Sequence, residues 1–340
     1  MIIKRKSLPL KLIGIEALSR RLPANHPLAQ NIEEEARRIR AGENGERILE
    51  SVFTKYSFPF EHYILHDLHL QSTGRFQIDT LFISRHSAVI LEMKNIAGRI
   101  EFPKDQKQLT RVLENGKIDS FECPSVQLER NMMLLNDWFY ANGFSIPIKG
   151  AVVFPRPQQS FENIRKDLTV LFPNEIPVFL RKPEETSPSL DSQTLKSVAS
   201  KLSFSSNEYN PFPLIKNYNL SLSELITGVR CEVCGTHGMH AIYNGWGCNQ
   251  CGHSDKYAHI QAVVEYCMLV DFKLTNSEVR KFLRINSRDK VVRMLKKMGL
   301  SYSGEKRGAA YSVNLKDLEI LLEKKIKLYS EMIMRRPVRN

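Results

Sequence analysis

The chain has 340 residues, 42% hydrophobic and 25% charged, the composition of a folded globular protein and not of a disordered or fibrous one. Lysine and arginine number 49 against 37 aspartate and glutamate, a net charge of +12, and residues 256–340 hold 19 of the basic and 9 of the acidic groups. No apolar run approaches the roughly 18 residues of a membrane span, and no secretory cleavage site follows the basic start Met1-Ile2-Ile3-Lys4-Arg5-Lys6. The expected setting is therefore cytoplasmic, with no membrane partner.

Residues 1–40 read as an N-terminal extension broken by Pro9, Pro23 and Pro27. Gly42-Glu43-Asn44-Gly45-Glu46 then opens an amphipathic helix, with Ile48, Leu49, Val52 and Phe53 at helical spacing. After Pro59 the pattern changes to strand-like runs at 63–70, 76–83 and 88–94, followed by a helix at 124–140 and a buried strand at 150–154. Residues 41–180 are thus expected to form an α/β domain with a mixed sheet. The proline-, serine- and asparagine-rich stretch 181–226 reads as a linker. A cysteine-containing module at 227–255, a helical module with a polar hairpin at 256–314 and a basic helix at 315–340 complete the expected order.

The runs around Asp79 and Glu92 carry a chemical signal. With a turn centred on residues 85 and 86, Asp79 stands opposite Glu92, and their Cβ atoms are expected roughly 5 Å apart. Strict alternation puts Lys94 on the same face and turns Ile78, Leu91 and Met93 to the other. Two carboxylates so close repel unless a cation lies between them, and oxygen donors suit a hard ion such as Mg²⁺ or Mn²⁺. A bland reading is an Asp–Glu pair neutralised by Lys94 or a nearby Arg, and spacing alone favours it.

The surrounding motifs resemble the NERD (nuclease-related) domain, a branch of the PD-(D/E)xK nuclease superfamily. They are Gly42-Glu43-Asn44-Gly45-Glu46-Arg47, Gln77-Ile78-Asp79, Val89-Ile90-Leu91-Glu92-Met93-Lys94-Asn95 with Gly98, and Pro124-Ser125-Val126-Gln127. The resemblance implies a restriction-endonuclease-like core in which Asp79, Glu92, Glu46 and the Met93 carbonyl hold the metal. It also implies that Lys94 serves the hydrolytic water and that Gln127 braces the site. Glu43 fits either the site or a helix N-terminus.

Cys231-x-x-Cys234 and Cys248-x-x-Cys251, 13 residues apart, match two knuckles around one structural Zn²⁺, with Gly235, Gly245, Gly247 and Gly252 at the turns. The pattern resembles a zinc ribbon. A shell of four thiolates leaves no open position, so this zinc would fold the module and not catalyse. Cys123 and Cys267 read as packed apolar residues.

Beyond the cysteines, Val291, Val292, Leu295 and Met298 form one helix face, and Arg288, Lys290, Arg293, Lys296 and Lys297 the opposite one. Lys306 and Arg307 lie in a glycine-flanked hairpin. This order resembles a winged helix-turn-helix, with these seven residues as candidate DNA contacts. The stripe Leu315, Leu318, Leu322, Ile326, Tyr329 and Ile333 packs on its own module or joins two copies as a homodimer. Together these features predict a metal-dependent nuclease acting on double-stranded DNA. A non-enzymatic DNA-binding regulator with an inactive nuclease-like domain is the alternative.

Overall fold

The computed structural model describes residues 1–102, 108–113, 115–157, 159–164, 166, 168–182, 187–304 and 309–334, the side chains of 329 and 331–334 excepted. The chain begins with β1 (Ile2–Lys4), α1 (Leu10–Arg21), α2 (Ala29–Lys55), β2 (His62–Gln71), β3 (Arg75–Ser84) and β4 (Ala88–Met93). There follow β5 (Arg99–Glu101), β6 (Gln108–Val112), β7 (Ile118–Glu122), α3 (Pro124–Ala141), β8 (Ile148–Val153), β9 (Phe161–Glu162), β10 (Val170–Leu171), α4 (Ile176–Leu180) and α5 (Ser192–Ser205). Next come α6 (Leu214–Asn217), β11 (Met239–Ile242), β12 (Gly245–Cys248), β13 (Ser254–Asp255) and α7 (Ala258–Leu269). The last elements are β14 (Lys273–Thr275), α8 (Asn276–Leu283), α9 (Arg288–Met298), β15 (Ser301–Ser303), β16 (Ala310–Ser312) and α10 (Leu315–Met334). None of these helices is long and apolar enough to cross a membrane.

The chain forms two compact units, one of residues Met1–Ser7 and Arg38–Tyr209, the other of Leu8–Arg37 and Asn210–Asn340. The first unit is a mixed α/β structure built on a six-stranded sheet of order β1-β2-β3-β4-β8-β10. The β2, β3 and β4 strands are antiparallel, and β8 and β10 join in parallel. Every residue of β4 is buried, because helices cover both faces of this central strand. On one face Leu128 and Leu135 of α3 and Leu195 and Val198 of α5 pack against Ala88 and Ile90. On the other, Leu49 and Val52 of α2 and Ile176 of α4 pack against Val89 and Leu91. A smaller sheet, β7-β6-β5-β9, lies within the same unit.

Three sequence expectations are corrected in this unit. Gly42 and Gly45 do not open a helix: α2 is continuous from Ala29 to Lys55, so Glu43 and Glu46 sit in its interior, away from the N-terminal dipole. Gly45 is required by close packing, since a Cβ there would lie 2.9 Å from both Met93 Cγ and Asn95 Cβ. The stretch 181–226 is not all linker, because Leu195, Val198, Ala199 and Leu202 of α5 bury an amphipathic face in the first unit. The extension 1–40 is divided as well, with β1 joining the large sheet beside β2.

Strict alternation also fails at the hairpin. Leu65 and Leu68 of β2 face one cluster although they are three residues apart, and so do Ile78 and Leu81 of β3. The phase slips in both strands between the pairs His66↔Thr80 and Leu68↔Ile78, where Asp67 and Asp79 lie. Asp67 carries the left-handed step, with φ +52°. Ile78 therefore packs with Ala88 and Ile90 and not, as expected, with Leu91 and Met93.

In the second unit the cysteine module is a three-stranded sheet, β11-β12-β13, and the C-terminal module has a second one, β14-β16-β15. Thr275 and Ser287 cap α8 and α9 by accepting the Glu278 and Lys290 amides, and Gly299 ends α9 at φ +81°. The buried Arg21 of α1 donates Nε to Glu265 of α7 at 2.7 Å and Nη1 to the Ile226 carbonyl at 2.7 Å, so the charge is both paired and hydrogen-bonded. On α10 the buried positions are Leu318, Leu321, Leu322 and Lys325, whereas Ile326 is 61% exposed. The expected stripe is thus rotated, and its Tyr329 and Ile333 side chains lie outside the described residues, as do Lys306 and Arg307.

Candidate functional site

β3 and β4 pair in the expected register, Thr80 opposite Leu91 and Ile83 opposite Ala88, so one further step sets Asp79 against Glu92. At that step a side chain replaces the backbone partner, because Asp79 Oδ2 accepts the Met93 amide at 2.8 Å. Glu92 is fully buried on the α3 side of the sheet. Its Oε1 accepts from Lys94 Nζ at 3.0 Å and from Gln127 Nε2, while Gln127 Oε1 accepts a second Lys94 proton at 2.6 Å. Glu92, Lys94 and Gln127 therefore form a closed triangle of hydrogen bonds.

Two further members were absent from the sequence reading. Asn131, one helical turn beyond Gln127 on α3, donates to the Gln77 carbonyl at 2.8 Å and faces Glu92 Oε2 at 3.5 Å. The Gln-x-x-x-Asn spacing was the available signal, since i and i+4 share a helix face. Lys6, just after β1, pairs with Glu46 and lies 3.2 Å from Glu43. No local pattern could have announced it, because the contact spans 40 residues.

The electrostatics follow from crowding. Burial holds the Asp79 carboxyl well above the usual aspartate range, and Glu92 and Glu46 push it further, against Lys94 and the Met93 amide. Glu46 is also raised, by burial first, with Lys6 opposing. Lys6 stays charged in spite of burial, because Glu46, Asp67 and Glu43 surround it. Asp67, opposed by its own burial, is drawn down to about 2 by the His69 hydrogen bond and the nearby lysines. Asp79 is thus the acid most in need of a cation.

The donor set of Asp79, Glu92, Glu46 and the Met93 carbonyl is all oxygen, which fits a hard divalent ion. The three carboxylates are not drawn into one tight group. Among the described residues, the group of three or more His, Cys, Asp or Glu ligand atoms lying within 4.8 Å of one another is Cys231, Cys234, Cys248 and Cys251.

There the local backbone does the positioning. Gly235 (φ +79°) and Gly252 (φ +71°) turn each knuckle, and their amides bond to the Cys231 and Cys248 carbonyls at 2.9 and 3.0 Å. The sulfurs approach to 3.7 Å for Cys231–Cys251 and 3.5 Å for Cys234–Cys248. Thr236 draws the Cys234 thiol down to about 6. Cys251, despite a bond from the His253 backbone, is pushed up to about 12 by burial and its three neighbours. Four sulfurs so close cannot all ionise without a soft or borderline cation, and Zn²⁺ fits that demand.

On α9, Arg288, Arg293, Lys296 and Lys297 are exposed as expected. Lys290 is not free on that face: its Nζ donates to the Ile242 carbonyl at 2.8 Å and lies 5.6 Å from the Trp246 ring centre. Val292 is only half-buried, and Met294 takes its place in the apolar face.

No curated protein and no solved structure matches the chain. Residues 41–155, which contain Glu46, Asp79, Glu92, Lys94 and Gln127, match the family model described as NERD, nuclease-related domain.

Proposed function

We propose that the protein is a metal-dependent nuclease that hydrolyses DNA phosphodiester bonds, with a restriction-endonuclease-like core in the first unit. The observation that carries this reading is the closed triangle of Glu92, Lys94 and Gln127 beside the raised Asp79 carboxyl, inside the nuclease-related stretch. Asp79 and Glu92 would hold Mg²⁺ or Mn²⁺, with Glu46 and the Met93 carbonyl completing the oxygen set. When bound, such an ion supplies positive charge to the phosphoryl oxygens and acidifies water. Lys94, gripped on two sides, orients the attacking water and offers its ammonium to the charge that develops on the phosphate. Gln127 and Asn131 keep Glu92 aimed, and Lys6 holds Glu46.

In the second unit, the four-cysteine sheet is read as a zinc ribbon that holds structural Zn²⁺. The order α7, β14, α8, α9, β15, β16 supports a winged helix-turn-helix with α9 as recognition helix. Arg288, Arg293, Lys296 and Lys297, with Lys306 and Arg307 from outside the described residues, would contact duplex phosphates. A second reading, a DNA-binding regulator without turnover, draws on the ion pairs that Lys6 and Lys94 already make with Glu46 and Glu92.

Cleavage of plasmid and linear DNA in Mg²⁺ or Mn²⁺ separates the two. The wild type is expected to cut and Asp79→Ala and Lys94→Ala to be inert; equal residual cutting by all three removes the enzyme reading. Arg288→Glu and Arg293→Glu are expected to weaken duplex binding and flatten its salt dependence.

A further inference from the structure

Within the second unit, a cavity of ≈ 250 Å³ opens between the β11–β12 hairpin, α7, α9 and α10. Five cations line it: Lys256, Lys290, Arg293, Lys297 and Lys324. Among the described residues no aspartate or glutamate lines it and no carboxylate pairs with any of the five. Two of the ammonium groups donate to carbonyls, Lys290 to Ile242 at 2.8 Å and Lys324 to Lys297 at 3.3 Å. The floor is apolar, from Ile260, Met294, Met298 and Leu321, and Tyr257 and the fully exposed Tyr243 offer ring faces at the mouth. His259 accepts the Trp246 indole N–H on Nδ1 at 3.1 Å, and burial holds its pKa down to about 4, so Nε2 carries a proton to donate.

Positive charge that no described carboxylate meets, set around an apolar floor, calls for a ligand that has a planar ring at one end and an anion at the other. We infer that this cavity receives one unpaired nucleotide, its base against the methionines and tyrosines and its phosphate among Lys290, Arg293, Lys297 and Lys324. A stacked duplex cannot present a base this way, but the site shares Arg293 and Lys297 with the duplex contacts proposed for α9, so strand and duplex would compete for them. It does not depend on hydrolysis in the first unit. The nucleotide is either free or borne on a frayed or single strand.

The test uses full-length protein carrying Asp79→Ala, so that no probe is consumed, and Trp138→Phe, which leaves Trp246 as sole tryptophan. Its fluorescence is followed against a single-stranded deoxyoligonucleotide, the same sequence as blunt duplex, adenosine monophosphate and inorganic phosphate. The single strand is expected to change the Trp246 signal, and adding Tyr257→Ala with Lys324→Ala to weaken that binding about tenfold or more. Zinc content and helical circular dichroism should not move. Adenosine monophosphate binding as well as the strand identifies a free nucleotide, and much weaker binding identifies a strand-borne one. The inference is overturned if phosphate alone matches the strand, if duplex gives the same Trp246 response, or if the double substitution changes nothing.

Discussion

The two units each gather a set of candidate metal-ligating side chains, and they do so by opposite means. The cysteine quartet is made by two short knuckles, each turned by its own glycine and closed by hydrogen bonds four residues apart, so its sulfurs meet within 4.8 Å. The carboxylate set is assembled from α2, β3 and β4 and braced by α3, and two of its acids, Glu46 and Glu92, are each paired with a lysine. Local chain geometry fixes the first; tertiary packing fixes the second. Damage to the quartet should therefore act on folding, and damage to the carboxylates chiefly on chemistry.

The largest effect is expected at the quartet. Structural zinc contributes on the order of 10 kcal/mol to the folding of small modules, so Cys248→Ser should lose the metal by elemental analysis and expose the β11–β13 sheet to protease. An unchanged zinc content would end the contrast. At the carboxylates, Asp79→Asn is expected to slow Mn²⁺-dependent cleavage by at least about 10³-fold, about 4 kcal/mol of barrier, while far-ultraviolet circular dichroism stays as in wild type. Third, Leu195→Ala should cost about 2–5 kcal/mol in denaturant unfolding of the first unit, as expected if α5 belongs to its core. A cost near zero would return that stretch to the linker.

The smallest effect sharpens the electrostatic half of the comparison. Asp79 is raised in the folded protein, so without metal the folded state binds its proton more tightly than the unfolded chain does. Stability then falls as pH rises from the ordinary value of 3.8 toward the folded value. Metal-free Asp79→Asn should accordingly melt above wild type at alkaline pH, and the gap should close in acid near 3.8. The same melting difference at both ends of the range would contradict the assigned crowding.

What was legible in the sequence follows the same division. Paired cysteines with glycine beside them read directly as knuckles, because all the information is local. The β3–β4 register was legible from the turn, since every pair in a regular hairpin keeps the same offset. The slip of face at Asp67 and Asp79 was not, because Asp67 shows no sequence mark of a positive φ. α2 was misread at its start, since Gly42 and Gly45 imitate a helix boundary, and the reason for Gly45 is its packing on Met93 from a distant strand. Lys6 was invisible for the same cause: its partners are brought to it only when the sheet forms. The cations of α9 were read correctly as a face, but Lys290 turns onto the cysteine module, a neighbour that helical periodicity does not reveal.

Asp79 acts as a clasp at the end of two strands, since its Oδ2 takes the amide that would otherwise close the ladder at Met93. Replacing it by alanine thus removes an acid and also leaves a main-chain donor stranded, a cost of about 1–3 kcal/mol, whereas asparagine keeps an oxygen for it. The gap in stability between those two replacements weighs the seam alone, and whatever loss of turnover they share belongs to the charge.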